Sequence, residues 1–357
     1  MQALRPSAPR IASVATSLPP HRYVQNEILD QLSRTWGARL ENPASLARLH
    51  ARVGVANRSL VMPLEEYHVA QPWGITNDRW IDEAQNLAEN ALTAALARAE
   101  LDTAAISALY FTSVTGICSP SIDARLMNRM RLPAGVKRMP SFGLGCVGGA
   151  ACLARAADYL LGHPRDVAVV LAVEICSLTI QQDDMSVANL ISTGLFGDGA
   201  AAVLLVGAEV EIAGPTVLAT RSVFYPDSEK VMGWDISEKG FTIRLSPGVP
   251  DLIRTRIRND VDAFLAESDV ARSDIDQWVL HTGGPSVLEA MAEGLEITRD
   301  QMAASWECLR EMGNLSSASV LAVLEKIVVE RRPEPGSLGL IGAMGPGFCA
   351  EFLLVRW

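Results

Sequence analysis

Basic residues are scarce. Lys and Arg number 31 against 41 Asp and Glu, a formal net charge of -10, so a nucleic-acid scaffold, which needs clustered cations against phosphate, is disfavoured. No CxxC pair occurs among the six cysteines, Cys118, Cys146, Cys152, Cys176, Cys308 and Cys349. Scattered through so long a chain, they suggest neither a disulfide framework nor a zinc knuckle, and free thiols are expected. Met1–Pro20 lacks the continuous apolar core of a signal peptide, and no later stretch has the run of uncharged apolar residues that a membrane helix needs. A cytoplasmic location without a membrane span is therefore expected. Low-complexity segments are missing too, and Arg331–Gly336 reads as a polar turn with two prolines.

What the chain has is core-forming material. Of its 357 residues 49% are hydrophobic, enough for a large core and for two domains or one duplicated one. Ile106–Val114, Asp166–Val173 and Ala200–Val206 are continuous apolar runs without alternation, as expected of strands covered on both faces. Arg79–Ala97, Ala150–Leu161 and Leu315–Val329 carry apolar positions at helical spacing. Their alternation predicts an α/β fold with buried sheets. Gln277–Leu280 reads as a strand entering a Gly-rich turn and a helix, and Leu338–Ile341 with Phe348–Val355 as a closing hairpin-like pair. The later elements echo the earlier ones, which predicts two similar halves, 1–215 and 216–357, divided near Ile212–Ser222.

Three side chains stand where chemistry is commonly done. In Gly143-Leu144-Gly145-Cys146-Val147-Gly148-Gly149-Ala150, glycines permit a sharp turn and the following helix aims its positive end at Cys146. A cysteine so placed beside an imidazolium has a depressed pKa and becomes a nucleophile. The competing reading is a small core residue, since free Cys is among the most buried residue types. His281 ends a strand before Thr282-Gly283-Gly284-Pro285, where α/β folds present ligand-binding groups. With only five histidines in the chain, it is either a satisfied polar residue or a group titrating near neutrality. Asn314 precedes a helix in Gly313-Asn314-Leu315-Ser316-Ser317-Ala318, and taken alone it reads as an N-cap. Papain-like proteases also order Cys, His and Asn along the chain. Their cysteine sits in a Cys-Gly-Ser-Cys-Trp-like context, which Gly145-Cys146-Val147-Gly148-Gly149 does not match.

Five motifs in order, the Gly145–Ala150 turn, Leu195-Phe196-Gly197-Asp198-Gly199-Ala200-Ala201, His281–Pro285, Gly313–Ala318 and Met344-Gly345-Pro346-Gly347-Phe348, make the chain resemble the type III polyketide synthases, the chalcone synthase-like branch of the thiolase superfamily. The resemblance spans nearly the whole chain. It implies the five-layered αβαβα thiolase fold, two related halves in one chain, and a homodimer. It also implies that Cys146 takes an acyl group from acyl-CoA. His281 and Asn314 then donate hydrogen bonds to the thioester carbonyl of malonyl-CoA as it loses carbon dioxide, and no metal or redox cofactor is required.

By the same resemblance Phe196 separates the pantetheine tunnel from the acyl cavity, its plainer role being core packing. Ile243, in Gly240-Phe241-Thr242-Ile243, stands where plant enzymes carry a second gatekeeping aromatic. Arg48 and Arg52 fall where the family binds CoA phosphates, or else they are a solvated basic helix face. Gly283, Gly284 and Ser316 are placed at the substrate. Cys176 and Thr179 are expected to line the cavity or a side tunnel, and Trp234 to shorten it. These replacements look like the bacterial members that make alkylpyrones or alkylresorcinols, so a medium or long acyl starter and tri- or tetraketide products are expected. Two alternatives share the fold: a ketoacyl-ACP synthase performing one condensation, and a non-catalytic acyl-binding relative.

Overall fold

The computed structural model describes residues 8–40 and 42–357. Its strands are β1 Arg10–Ser17, β2 His21–Val24, β3 Asn57–Leu60, β4 Ile106–Thr112, β5 Lys137–Ser141, β6 Val167–Ile175, β7 Asp198–Val206, β8 Thr216–Phe224, β9 Met232–Ser237, β10 Gly240–Leu245, β11 Ile275–Leu280, β12 Leu338–Gly345 and β13 Cys349–Arg356. Nine of them form one sheet in the order β11-β12-β13-β8-β1-β7-β6-β4-β5, while β2 pairs with β3 and β9 with β10 as separate ribbons.

Continuity across the middle of the large sheet rests on a single pairing, Arg10 with Thr216. On one side of it β1 runs antiparallel to β7, β7 antiparallel to β6, and β6 parallel to β4. On the other side β8 runs antiparallel to β13, β13 antiparallel to β12, and β12 parallel to β11. The same order and directions recur, so the echo in the sequence is a structural duplication, with β5 an added parallel edge beside β4. The expected division at Ile212–Ser222 runs into β8, which begins at Thr216. That strand is only half-buried and rich in Thr and Ser, so it lacks the apolar run that marked the others.

Every residue of β6 and β7 is buried, as their unbroken apolar runs require. Alternate side chains go to different cores: Ala168, Val170 and Ala172 face a central cluster, and Val169, Leu171 and Val173 an outer one. The central cluster holds the helices Gly148–Gly162 and Ser319–Glu325 between inward-facing residues of both halves, such as Val203 and Leu353. The helix Trp73–Arg98 covers the outer face of the first half, and Val249–Ala266 with Pro285–Leu295 covers that of the second. The result is five layers, helix, sheet, helix, sheet, helix. The stretch expected as one helix over Leu315–Val329 is helical but not uniform. It opens as a tight turn at Ser316–Ala318 and ends in a widened π-type turn from Lys326. Among the described residues no helix is long and apolar enough to cross a membrane.

Candidate active site

Cys146 lies in the tight turn Gly145–Val147 that leads into the buried helix Gly148–Gly162. Two glycines make this possible. Gly145 has φ +53, a left-handed conformation that favours glycine, and a Cβ on Gly149 would lie 2.2 Å from the Ser317 carbonyl oxygen. The helix start is thereby pressed onto the Ser316–Ala318 turn, and the Cys146 thiol lies 3.7 Å from Ser316 Oγ in a weak hydrogen bond. His281 follows β11, with its backbone N–H on the Gly342 carbonyl of β12 at 3.0 Å, and is 3% exposed. Its Nδ1 is buried and has no partner among the described residues.

Asn314 joins the halves. It forms a parallel bridge with Phe196, accepts from Gly197 N through its carbonyl, and donates its own N–H to Leu195 O. Its side-chain Oδ1 accepts from Ser316 N at 2.8 Å and from Ser319 Oγ at 3.2 Å. A backbone N–H can only donate, so Oδ1 is identified and the Nδ2 donor faces the other way. The capping signal therefore coexists with a free amide donor. Fully buried Glu174, at the end of β6, accepts from Val114 N, Thr115 Oγ1, Ser317 N and Ser317 Oγ. It thereby ties the end of β4 to the turn after Asn314.

The protonation states differ from the sequence expectation. Burial pushes the Cys146 thiol up to about 12; the Ser316 hydrogen bond pulls it back slightly and the Glu174 charge adds to the rise. Burial draws His281 down to about 4. Both shifts favour the uncharged forms. Desolvation is the largest cause at both groups, and the thiol's hydrogen bond goes to Ser316 rather than to His281.

Phe196, Cys176, Thr179, Trp234 and Ile243 line one cavity. Trp234 and Ile243 face one another in the β9–β10 register, which puts both on one side of the ribbon. Thr179 Oγ1 donates to the Cys176 carbonyl, fixing the turn that carries both. Gly283 and Gly284 lie outside this cavity lining; Gly283 N donates to the His281 carbonyl, and Gly284, with φ +119, starts the Pro285–Leu295 helix. Arg48 and Arg52 are exposed on the Pro43–Arg52 helix and do not reach the cavity. The sequence reading missed Arg58, Leu60 and Tyr67, which also line it. Nothing in their local pattern set them apart, because they come from a four-residue strand and a short turn brought in by tertiary packing.

Residues 64–210 match the family model for the N-terminal domain of chalcone and stilbene synthases, and residues 216–357 that for the C-terminal domain. A 1,3,6,8-tetrahydroxynaphthalene synthase of Streptomyces peucetius subsp. caesius is 48% identical over 97% of this chain and 93% of that protein. A putative chalcone synthase of Bacillus subtilis is 34% identical over 97% and 98%. The crystal structure of the 1,3,6,8-tetrahydroxynaphthalene synthase from Streptomyces coelicolor A3(2), a bacterial type III polyketide synthase, superposes with a TM-score of 0.93 at 30% identity, covering 98% of this chain and 99% of that one.

Proposed function

The chain belongs to the chalcone and stilbene synthase family of type III polyketide synthases, and from that premise we propose that it condenses malonyl-CoA units on Cys146 into a tetrahydroxynaphthalene-type product. The observation that carries this reading is the likeness to the Streptomyces peucetius enzyme over almost the full length of both chains. A naphthalene skeleton has ten carbons, with oxygen on alternate positions. A three-carbon malonyl starter and four two-carbon additions make an eleven-carbon chain, and loss of its terminal carboxylate leaves ten.

In the first step the Cys146 sulfur attacks the thioester carbonyl of a starter while His281 receives the thiol proton. The C–S bond to CoA breaks and the proton passes to the departing CoA sulfur. A second malonyl-CoA then loses carbon dioxide, leaving an enolate whose oxygen accepts from Asn314 Nδ2 and from the His281 ring N–H. Donors preorganised there contribute about 3 kcal/mol each to the barrier reduction. The enolate carbon attacks the Cys146 thioester, a C–C bond forms, and the sulfur leaves as thiolate. The electron pair for the new bond comes from decarboxylation, so each cycle balances without a redox partner or metal. Phe196 serves as the gate to the cavity, Arg48 and Arg52 take the CoA phosphates, and Ser316 holds the thiol. CoA thioesters are intracellular substrates, which places the enzyme in the cytoplasm. A homodimer fits the exposed edge strand β5, where Met139 is 54% exposed and Phe142, just after the strand, 47%.

A second reading keeps the fatty acyl starter and an alkylpyrone or alkylresorcinol product. It is favoured by the apolar side chains Ile28, Leu32, Leu60 and Ile180, which line the same cavity as Cys176. Mass spectrometry of products from malonyl-CoA alone, and from malonyl-CoA with a panel of acyl-CoA starters, separates the two. A naphthalene product from malonyl-CoA alone, absent in Cys146→Ala, supports the first reading. Products that require a long acyl starter favour the second, and a single condensation that needs a carrier protein sinks both.

A further inference from the structure

Arg58, on β3, is 2% exposed and lines the cavity together with apolar side chains such as Leu32 and Leu60 and polar ones such as Thr179 and Asn189. Its Nη1 donates to the Phe196 carbonyl at 2.6 Å, whereas Nε and Nη2 have no acceptor among the described residues. A buried guanidinium left with two unmet donors is costly, and native structures resolve that cost with a partner. Asp198 is the obvious internal candidate, but its carboxylate is taken by Val61 N, Ser177 N and Ser177 Oγ and makes no hydrogen bond to Arg58. Nε and Nη2 are the two donors along one edge of the guanidinium. They are spaced for two parallel bonds to the oxygens of a single carboxylate.

The position fits the end of a chain held on Cys146. Arg58 is anchored to the carbonyl of Phe196, whose backbone pairs with Asn314, and its side chain crosses Gly313, where a Cβ would sit 3.1 Å from Arg58 Cδ. It therefore shares the cavity wall with Cys176, Thr179 and Phe196 and is joined to Asn314 through the Phe196 backbone. Burial lowers its pKa only to about 10, so it stays cationic at neutral pH.

We propose that Arg58 is a specificity-determining residue that binds the free carboxylate of the malonyl starter through Nε and Nη2. This deepens the malonyl-primed reading above and rests on it. A starter malonyl group transferred to Cys146 keeps its carboxylate, and a low-dielectric cavity would promote its loss as carbon dioxide. A cationic fork holds it as the carboxylate, so the starter survives while the extender, placed at Asn314 and His281, decarboxylates.

The test compares wild type, Arg58→Met and Arg58→Lys, each given malonyl-CoA alone or with isovaleryl-CoA, whose branched end has the shape of malonyl without the charge. Wild type on malonyl-CoA alone reads the proposed function by itself; if it forms no malonyl-primed product, that function falls and this inference with it. With wild type active, Arg58→Met is expected to lose about 100-fold in kcat/KM for malonyl-primed product, the scale for removing one member of a buried charge pair. Isovaleryl-primed product should stay within about threefold of wild type. Intact-mass analysis should find malonyl on Cys146 in wild type and acetyl in Arg58→Met, with Arg58→Lys between them. Equal loss of both products would make Arg58 structural and overturn the inference, as would undiminished malonyl priming in Arg58→Met.

Discussion

Replacing Asn314 separates its two duties. Oδ1 accepts from Ser316 N and Ser319 Oγ, while Nδ2 is the donor that the proposed mechanism gives to the substrate. Asn314→Asp keeps an acceptor for both internal bonds and removes the donor. Loss of one such donor costs about 3 kcal/mol of transition-state stabilisation, a fall of about 10²–10³ in rate, and the added negative charge opposes the enolate further. Asn314→Ala loses the donor as well, and it strands the Ser316 N–H in a residue only 4% exposed. That adds about 1–3 kcal/mol of destabilisation. The assays are carbon dioxide release from malonyl-CoA, acyl-enzyme formation on Cys146 by intact mass, and urea denaturation. Asp should acylate normally, unfold near the wild-type midpoint and release carbon dioxide at least about 100-fold more slowly. Product within tenfold of wild type, or acylation falling in step with decarboxylation, would refute the division of roles.

The remaining predictions concern packing, the cavity and protonation. Gly149→Ala drives a Cβ to 2.2 Å from the Ser317 carbonyl oxygen, so unfolding should occur about 1–3 kcal/mol more readily; an unchanged Tm would show that the two turns are not in close contact. Trp234→Gly removes the bulk opposite Ile243 and should shift products toward longer chains by liquid chromatography and mass spectrometry, an unaltered product profile counting against a wall at that position. His50 is buried, its pKa lowered from 6.5 to about 4 by burial and then by the Arg58 charge. The unfolded chain binds that proton more readily, so its contribution is complete above pH 6.5 and is lost as pH falls toward 4. The loss is up to about 3 kcal/mol. His50→Gln should flatten the urea midpoint between pH 7 and 4.5 relative to wild type, and parallel profiles would dismiss the assignment. Finally, if His281 activates the thiol, His281→Ala should slow iodoacetamide labelling of Cys146 at pH 7 at least tenfold, whereas equal rates would assign activation elsewhere.

The parts of the site that the sequence made legible share a cause. A Cβ would collide with the Pro346 ring at Gly145, with the Thr112 side chain at Gly148 and with the Ser317 carbonyl at Gly149, so each position needs glycine and the Cys146 turn announces itself without a structure. The unbroken apolar runs of β6 and β7 likewise report burial on both faces. Arg58 carried no such mark, since a charged residue on a short edge ribbon looks like any exposed arginine until packing encloses it. The division near β8 was blurred for the converse reason: a half-buried, Thr-rich strand lacks a continuous pattern.

The direction of the pKa shifts was not legible in the sequence for a further reason. A helix N-terminus and a nearby histidine are visible in sequence, but desolvation is a property of everything packed around them, and burial dominates at both Cys146 and His281. Burial shifts both groups toward their uncharged forms, and the proposed proton transfer from sulfur to ring nitrogen would give each charge a partner. A thiolate beside an imidazolium is then a charge pair sheltered from water, whereas either ion alone is a buried charge without a partner. In the proposed mechanism the two groups would activate as a pair. The duplicated fold makes that pairing sensitive to the joint between its halves, because the sulfur comes from the first half and the imidazole from the second. The Phe196–Asn314 bridge and the Glu174 hydrogen bonds hold that joint in register.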